Sequence, residues 1–264
     1  MSFSKVGVVG TGVIGEALIG ALLKFGIPQD SIFVAEKRDE RKREILEKYQ
    51  VRELASVALV DVVLLAVKPQ DLKSTVQAWS DFNPSTPLVL SFAAGVKISA
   101  IENFLGNQAR VIRVMPNTPM TQGRGISALS FGDRSTIEDQ IWAKDFLSTV
   151  GKVVVVHEEL QDAVTATSGS GPAYFYAFTE AMVSAAKRLG LNESDAMILA
   201  KETLIGAAIM VEKSEKEIAT LRENVTSPNG TTAAALQSFK DSRLEEVVFL
   251  AMKAALDRSI ELRS

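Results

Sequence analysis

The sequence predicts a doubly wound α/β domain followed by an all-α domain. Three features carry this expectation. Through the first half, short β-branched or apolar runs alternate with helical periodicity. Between the first of each stands Gly10-Thr11-Gly12-Val13-Ile14-Gly15. Beyond about residue 158 the strand-like runs give way to long Ala- and Leu-rich helical patterns. The expected division is therefore 1–158 and 159–264, an alternating domain and a helical one.

Strand patterns fall at residues 5–9, 32–35, 62–67, 88–92 and 111–115. Val62-Val63-Leu64-Leu65-Ala66-Val67 is apolar throughout, as suits a parallel strand covered on both faces. Ile14, Ala17, Leu18, Ala21, Leu22 and Phe25 recur at three and four residues and give the first helix one buried face. In the second half, helices are expected over 173–189, 193–211 and 243–262, with Gly190 as a stop. Ser135-x-x-Glu138, Ser214-x-x-Glu217 and Ser242-x-x-Glu245 read as capping boxes. Thr203-Leu204-Ile205-Gly206-Ala207-Ala208-Ile209-Met210 is apolar nearly all round, more than a helical domain of this size can bury by itself. Burial against a second copy of the chain is the expectation, a homodimer or higher oligomer.

Composition excludes several classes of chemistry. The chain has 264 residues, 47% of them hydrophobic, but no apolar run of membrane-spanning length. Met1-Ser2-Phe3-Ser4-Lys5 leads straight into a strand pattern, leaving no room for a signal peptide. With no cysteine there is no disulfide, thiolate zinc site or Cys nucleophile, and a cytoplasmic location is expected. A net charge of −3 offers no basic field for nucleic acid. The single histidine, His157, follows the run Lys152-Val153-Val154-Val155-Val156 and reads as a surface or hinge residue. Hydride transfer, which needs little strong acid or base, suits this inventory.

Gly10, Gly12 and Gly15 form the dinucleotide fingerprint of a Rossmann-type domain. The first permits the tight turn, the second lets backbone approach a pyrophosphate, and the third allows close helix–strand packing. At the end of the second strand, Glu36 would take ribose hydroxyls and favour NAD, while Lys37 and Arg38 could hold a 2′-phosphate and favour NADP. A plain solvated charge run is the third reading. Ala66-Val67-Lys68-Pro69-Gln70 ends another strand at the sheet edge where such folds bind ligands. Lys68 reads as a phosphate-side or solvated lysine rather than a proton donor. In Arg113-Val114-Met115-Pro116-Asn117-Thr118-Pro119, Asn117 is held between prolines and could bond a nicotinamide amide, a ribose hydroxyl or its own turn.

Two further segments are rich in small hydroxyl residues and open helices. Thr167-Ser168-Gly169-Ser170-Gly171-Pro172 precedes one, and Val225-Thr226-Ser227-Pro228-Asn229-Gly230-Thr231-Thr232 precedes another. Free N–H groups at such starts suit a small carboxylate or phosphate. With the nucleotide end accounted for, a second anion site belongs to the substrate.

These segments, with Ser91-Phe92-Ala93-Ala94-Gly95-Val96, occur in the order and spacing of the Δ1-pyrroline-5-carboxylate reductase family, which the chain resembles over nearly its whole length. The resemblance implies an N-terminal Rossmann domain and a C-terminal helical domain that binds substrate and interlocks with a second subunit. It also implies reduction of the cyclic imine 1-pyrroline-5-carboxylate to L-proline, the last step of proline synthesis. By the same resemblance Ser170, Ser227, Asn229, Gly230, Thr231 and Thr232 serve the substrate, Thr232 reaching the ring nitrogen. Gly12, Val13, Ile14, Lys37, Ala66, Val67, Lys68 and Asn117 touch the cofactor. NADPH is the expected cofactor, and Glu36, where the family usually has a small polar residue, admits NADH. Asn229 replaces a usual glycine, and because Asn tolerates left-handed backbone the loop shape is expected to survive.

Two other functions remain open at this point. A related dehydrogenase of hydroxy acids or other imines would want a catalytic lysine on a central helix, with Lys187 and Lys201 as candidates. A silent NADP-binding regulatory dimer would need no second anion site.

Overall fold

The computed structural model describes residues 3–79, 87–106 and 108–261. The alternating half runs β1 (Val6–Val9), α1 (Val13–Phe25), β2 (Ile32–Ala35), α2 (Asp39–Tyr49), β3 (Arg52–Glu53), β4 (Val62–Leu65), α3 (Pro69–Gln77), β5 (Leu88–Ser91), α4 (Ile98–Leu105), β6 (Arg110–Met115), β7 (Gly125–Phe131), α5 (Ile137–Ser148) and β8 (Gly151–Val155). A short α6 (Gln161–Val164) leads through a single π turn, Thr165–Gly169, into α7 (Gly171–Arg188). Then follow α8 (Glu193–Lys213), α9 (Ile218–Asn224), α10 (Thr231–Asp241) and α11 (Leu244–Glu261). Among the described residues no helix is long and apolar enough to cross a membrane.

The strands form one sheet in the order β3-β2-β1-β4-β5-β6-β7-β8. β1 pairs in parallel with both β2 and β4, so the chain winds outward in two directions from that point. The loops after β1 and β4 consequently lie side by side, at the switch point where doubly wound sheets bind ligands. Successive residues of each strand point to opposite faces. Val62, Leu64, Leu88, Leu90, Ile112 and Val114 join one core, with α1 and α5. Val63, Leu65, Val89 and Val111 join the other, with α3 and α4. Trp142 stacks on Phe146 with ring centroids 5.1 Å apart and meets Phe3 edge-on at 5.5 Å, which ties α5 to the start of the chain.

β7, which the strand patterns of the sequence do not include, runs antiparallel to β6, while the other pairs of the sheet are parallel. The cause is local. A 3₁₀ turn at Thr118–Gln122 brings the chain straight back with no crossover helix, and direct return leaves only antiparallel pairing. The capping signals are also displaced. The box at the start of α5 is Thr136 with Asp139, one residue beyond Ser135 and Glu138. Ser214 ends α8 and Ser242 ends α10, so neither is an N-cap. α8 is capped instead by Asn192, whose side chain accepts from the Asp195 N–H at 2.9 Å. Residue 262, the expected end of the last helix, lies outside the described residues, and Gly190 does follow the end of α7.

One fully buried cation organises the far side of the sheet. Arg113, in the middle of β6, is 2% exposed. Its guanidinium lies 3.3 Å from Glu158 and 3.9 Å from Asp162. Glu158 also accepts the Ile98 N–H at 2.7 Å at the start of α4, and Asp162 accepts from the Ser259 hydroxyl at 2.8 Å. Gln161, fully buried, donates to the Ala128 carbonyl and to Ser130 on β7.

By packing, the chain forms one unit of Met1–Ser170 with Ala255–Ser264 and a second of Gly171–Ala254. The first extends past residue 158, because the Glu158, Gln161 and Asp162 side chains fasten that stretch to β6 and β7. The second unit is poorly filled. Among its described residues only Val183, Ala196 and Ala200 are buried apolar side chains. Phe175, Tyr176, Met197, Ile198, Leu199, Ile209, Met210, Phe249 and many others stay exposed. Exposure of apolar surface on this scale marks an interface rather than a free surface. Ile209→Asp with Phe249→Asp should shift the protein from dimer or larger toward monomer in sedimentation velocity. A wild-type protein that sediments as monomer would sink the expectation.

Candidate active site

The turn after β1 is shaped by two close approaches. Gly10 has a φ of 88°, and a Cβ there would lie 2.8 Å from the Ala66 carbonyl oxygen, so only glycine fits. A Cβ on Gly15 would collide with the Gly10 carbonyl, so α1 can start hard against the strand. Gly12 faces open space, with nothing within 4 Å of a notional Cβ, and no side chain caps the helix that follows. Uncapped N–H groups and the positive end of α1 thus meet a clear approach, which fits a pyrophosphate.

A cavity of about 610 Å³ opens here, lined by Gly10, Thr11, Gly12, Glu36, Lys37, Arg38, Ala66, Val67 and Lys68, with Leu54, Asp71, Thr75 and Trp79. The structure therefore brings together eight of the residues expected from the sequence, Gly10, Gly12, Glu36, Lys37, Arg38, Ala66, Val67 and Lys68, and adds Thr11 to them. Val13 instead lines a separate groove beside α1, with Glu16, Gly20 and Met120, and Ile14 packs against the core. Lys68 starts α3, with Pro69 in its first turn, and is exposed. Lys37 pairs across the opening with Asp71 at 3.0 Å.

Glu36 behaves differently from a free ribose acceptor. One carboxylate oxygen accepts from the Thr11 N–H at 3.0 Å, the Thr11 hydroxyl at 2.9 Å and Arg38 Nη2 at 3.3 Å. The other accepts from the Arg38 N–H at 3.1 Å and Arg38 Nε at 3.0 Å. A carboxylate offers about four lone-pair sites, so these five donors saturate it. Burial pushes the Glu36 carboxyl up, but the Arg38 guanidinium, then the Thr11 and Arg38 N–H groups and the Thr11 hydroxyl, outweigh it and hold the pKa at about 2.

The same turn is braced from behind. Thr11 is fully buried, and its carbonyl accepts from Arg41 Nε at 3.0 Å. Arg41 also pairs with Glu16 and with Glu44. Glu16 gathers Lys48 at 2.8 Å and the Tyr49 hydroxyl at 3.0 Å. Its pKa falls to about 2, Lys48 contributing most and Arg41 and Tyr49 adding to it against the opposing effect of burial. Sequence reading missed Thr11, Glu16 and Arg41. A hydroxyl residue between the fingerprint glycines, facing an acid 25 residues on, is the signal that was available.

Asn117 lies outside the cavity, and both ends of its amide are engaged. Its oxygen accepts the Ile126 N–H at 2.9 Å and its nitrogen donates to the Ser168 carbonyl at 3.2 Å. Ser170 follows the π turn and is half-buried. His157 is exposed.

In the helical unit, the loop before α10 keeps a tight shape. Asn229 takes a left-handed φ of 59°, and the Gly230 N–H donates back to the Ser227 carbonyl at 3.0 Å. Gly230 is the N-cap of α10 and brings no side-chain cap to the first N–H groups of that helix. Ser227, Asn229 and Thr231 are exposed, and Thr232 is half-buried. Of the two lysines considered for other dehydrogenases, Lys187 pairs with Glu193 at 3.2 Å and Lys201 is exposed.

Comparison with known proteins decides the family. The pyrroline-5-carboxylate reductase of Corynebacterium melassecola is 39% identical over 266 residues, covering 98% of this chain and 98% of that one. The chain belongs to the pyrroline-5-carboxylate reductase family. Residues 158–262 match the family model described as pyrroline-5-carboxylate reductase dimerisation. Residues 5–95 match that of NADP oxidoreductase, coenzyme F420-dependent. The solved pyrroline-5-carboxylate reductase of Coxiella burnetii superposes with a TM-score of 0.92 at 32% identity, over 100% of both chains. That of Plasmodium falciparum, solved with NADP bound, gives 0.86 at 27% identity, again over 100% of both. With its family, this chain is an NAD(P)-dependent oxidoreductase with a Rossmann-type sheet and a helical dimerisation segment.

The two depressed carboxylates predict an acid-sensitive fold. Glu16 and Glu36 have folded-state values of about 2 against an ordinary 4.5. Their stabilisation is complete above the ordinary value and is lost as pH falls toward the folded one. Urea midpoints should therefore drop between about pH 6 and about pH 3, and Glu36→Gln should drop less over the same interval. An identical drop in the variant would remove Glu36 from the explanation.

Proposed function

We infer that the chain carries out the reaction its family is named for. NAD(P)H and a proton reduce the C=N bond of 1-pyrroline-5-carboxylate, giving L-proline, the closing step of proline synthesis. The observation that carries this most is the pairing of two differently built anion sites in one chain. One is the open, glycine-lined start of α1 beside the 610 Å³ cavity, and the other is the uncapped start of α10 behind the 227–230 turn. A silent dinucleotide sensor has no use for the second.

The division of roles follows from the donors available. Residues 1–158 hold the dinucleotide, and 159–264 bind substrate and dimerise. Gly10, Gly12 and Gly15 shape the phosphate turn, with Val13 and Ile14 giving first-turn N–H groups. Ala66, Val67 and Lys68 line the opposite wall, and Glu36, Lys37 and Arg38 meet the adenosine end. When bound, the reduced nicotinamide supplies the hydride. Ser227, Asn229, Gly230 and Thr231 hold the substrate carboxylate through hydroxyl and backbone N–H groups, as an anion prefers at a helix start. Ser170 supports the same ligand. The Thr232 hydroxyl hydrogen-bonds the ring nitrogen and can pass it a proton. An iminium carbon accepts hydride readily, so orientation supplies most of the acceleration. A cytoplasmic location fits a chain with no cysteine.

NADPH is the proposed cofactor, with NADH also accepted. The arrangement of Arg38 makes it the pivot. Released from Glu36, its guanidinium can take a 2′-phosphate, and the freed carboxylate can take a ribose hydroxyl but repels that phosphate. Glu36→Ser should raise the NADPH-to-NADH ratio of kcat/KM by about tenfold, removal of one like-charge contact. An unchanged ratio would show that Glu36 takes no part in the choice.

Turnover tests the reaction directly: purified protein, pyrroline-5-carboxylate and each reduced nicotinamide, followed by loss of absorbance. Folded protein with no turnover on either cofactor would refute it. Thr232→Ala should lower kcat by about tenfold to a hundredfold while leaving dinucleotide affinity nearly unchanged. A matching loss of dinucleotide affinity would mean that Thr232 belongs to the cofactor site.

A further inference from the structure

The π turn at Thr165–Gly169 is followed three residues on by Pro172. In an α-helix the N–H of residue 172 would donate to the carbonyl of residue 168. Proline has no N–H, so the Ser168 carbonyl loses its normal helical donor. Asn117 Nδ2 fills that place, donating to the Ser168 oxygen at 3.2 Å. The other end of the amide accepts the Ile126 N–H at 2.9 Å, which anchors it to the start of β7. The amide accepts from an N–H at one end and donates to a carbonyl at the other, whereas Asp would set a carboxylate against the Ser168 oxygen.

A second contact works at the same spot. A Cβ on Gly169 would run into the terminal methyl of Met115, so glycine lets the turn lie directly on the end of β6. The turn closes with the Ser170 N–H on the Thr165 carbonyl at 2.8 Å. Lone π turns of this kind recur at functional sites and need outside support.

We propose that Asn117 is a positioning residue whose side chain replaces the hydrogen bond Pro172 removes, fixing the 165–170 turn and with it Ser170. This differs from the direct cofactor contact that family resemblance implies for Asn117, and it rests on the substrate role proposed above for Ser170. The test compares Asn117→Ala, Pro172→Ala and the double variant in the full chain. KM for pyrroline-5-carboxylate is measured by turnover, and NADPH Kd by quenching of protein fluorescence. Asn117→Ala should raise KM by about tenfold, the worth of one hydrogen bond, with NADPH Kd moved less than about twofold. Pro172→Ala restores a backbone donor to Ser168, so the double variant should recover most of the lost KM. No recovery, an unchanged KM in Asn117→Ala, or a parallel rise in NADPH Kd would each overturn the proposal. If Asn117→Ala does not fold, the double variant decides: folded and active supports the proposal, unfolded overturns it. Failure of the underlying reaction would show instead as absent turnover in the wild-type protein.

Discussion

A guanidinium deep in a protein must be surrounded by acceptors, and Arg113 imposes that demand on the middle of β6. Removing both carboxylates would leave a buried charge uncompensated, at a cost of several kcal/mol. Glu158 and Asp162 answer it, which draws the segment after β8 across the sheet. Glu158 then caps α4, and Asp162 takes the Ser259 hydroxyl. The point where the chain leaves the sheet to become helical follows from one strand residue. With that stretch fixed, the π turn at Thr165–Gly169 comes to lie against the end of the same strand, within reach of Met115 and Asn117.

The nucleotide turn obeys a similar economy of donors and acceptors. Thr11 spends its N–H and hydroxyl on Glu36 and its carbonyl on Arg41, so it is structural. Gly12 and the first turn of α1 are left facing the cavity. The Glu16 cluster holds α1 and α2 together and keeps Arg41 in place. A saturated Glu36 holds the Arg38 guanidinium folded back upon it at the rim of the cavity.

Much of this architecture was legible in the sequence. Strands such as Val62–Leu65 are apolar on both faces, and glycines spaced for a phosphate turn follow the first of them, so the doubly wound half declares itself. β7 does not: Ser127, Ala128 and Ser130 break its apolar run, and its direction is set by the turn before it. Cap positions slipped because Ser135 and Thr136 compete, and only backbone geometry picks Thr136. The apolar surplus of the helical half pointed correctly to more surface than one chain can bury. Site residues separated by long loops were the least legible. Pro172 is visible as a helix starter, but the amide that compensates for it lies 51 residues from Ser168, where no local pattern reaches. Likewise nothing in the charge run at Glu36, Lys37 and Arg38 shows that Arg38 folds back upon Glu36.

α11 belongs to the helical unit through residue 254 and to the sheet-bearing unit beyond it. The buried Ser259 hydroxyl meets Asp162 across 97 residues of intervening chain. A ribosome delivers these partners far apart in time. The nascent sheet therefore waits, its buried acid short of this donor, until the whole helical segment has been synthesised. The last donor to Asp162 thus arrives only with the final turns of α11, after residues 171–254 have been made.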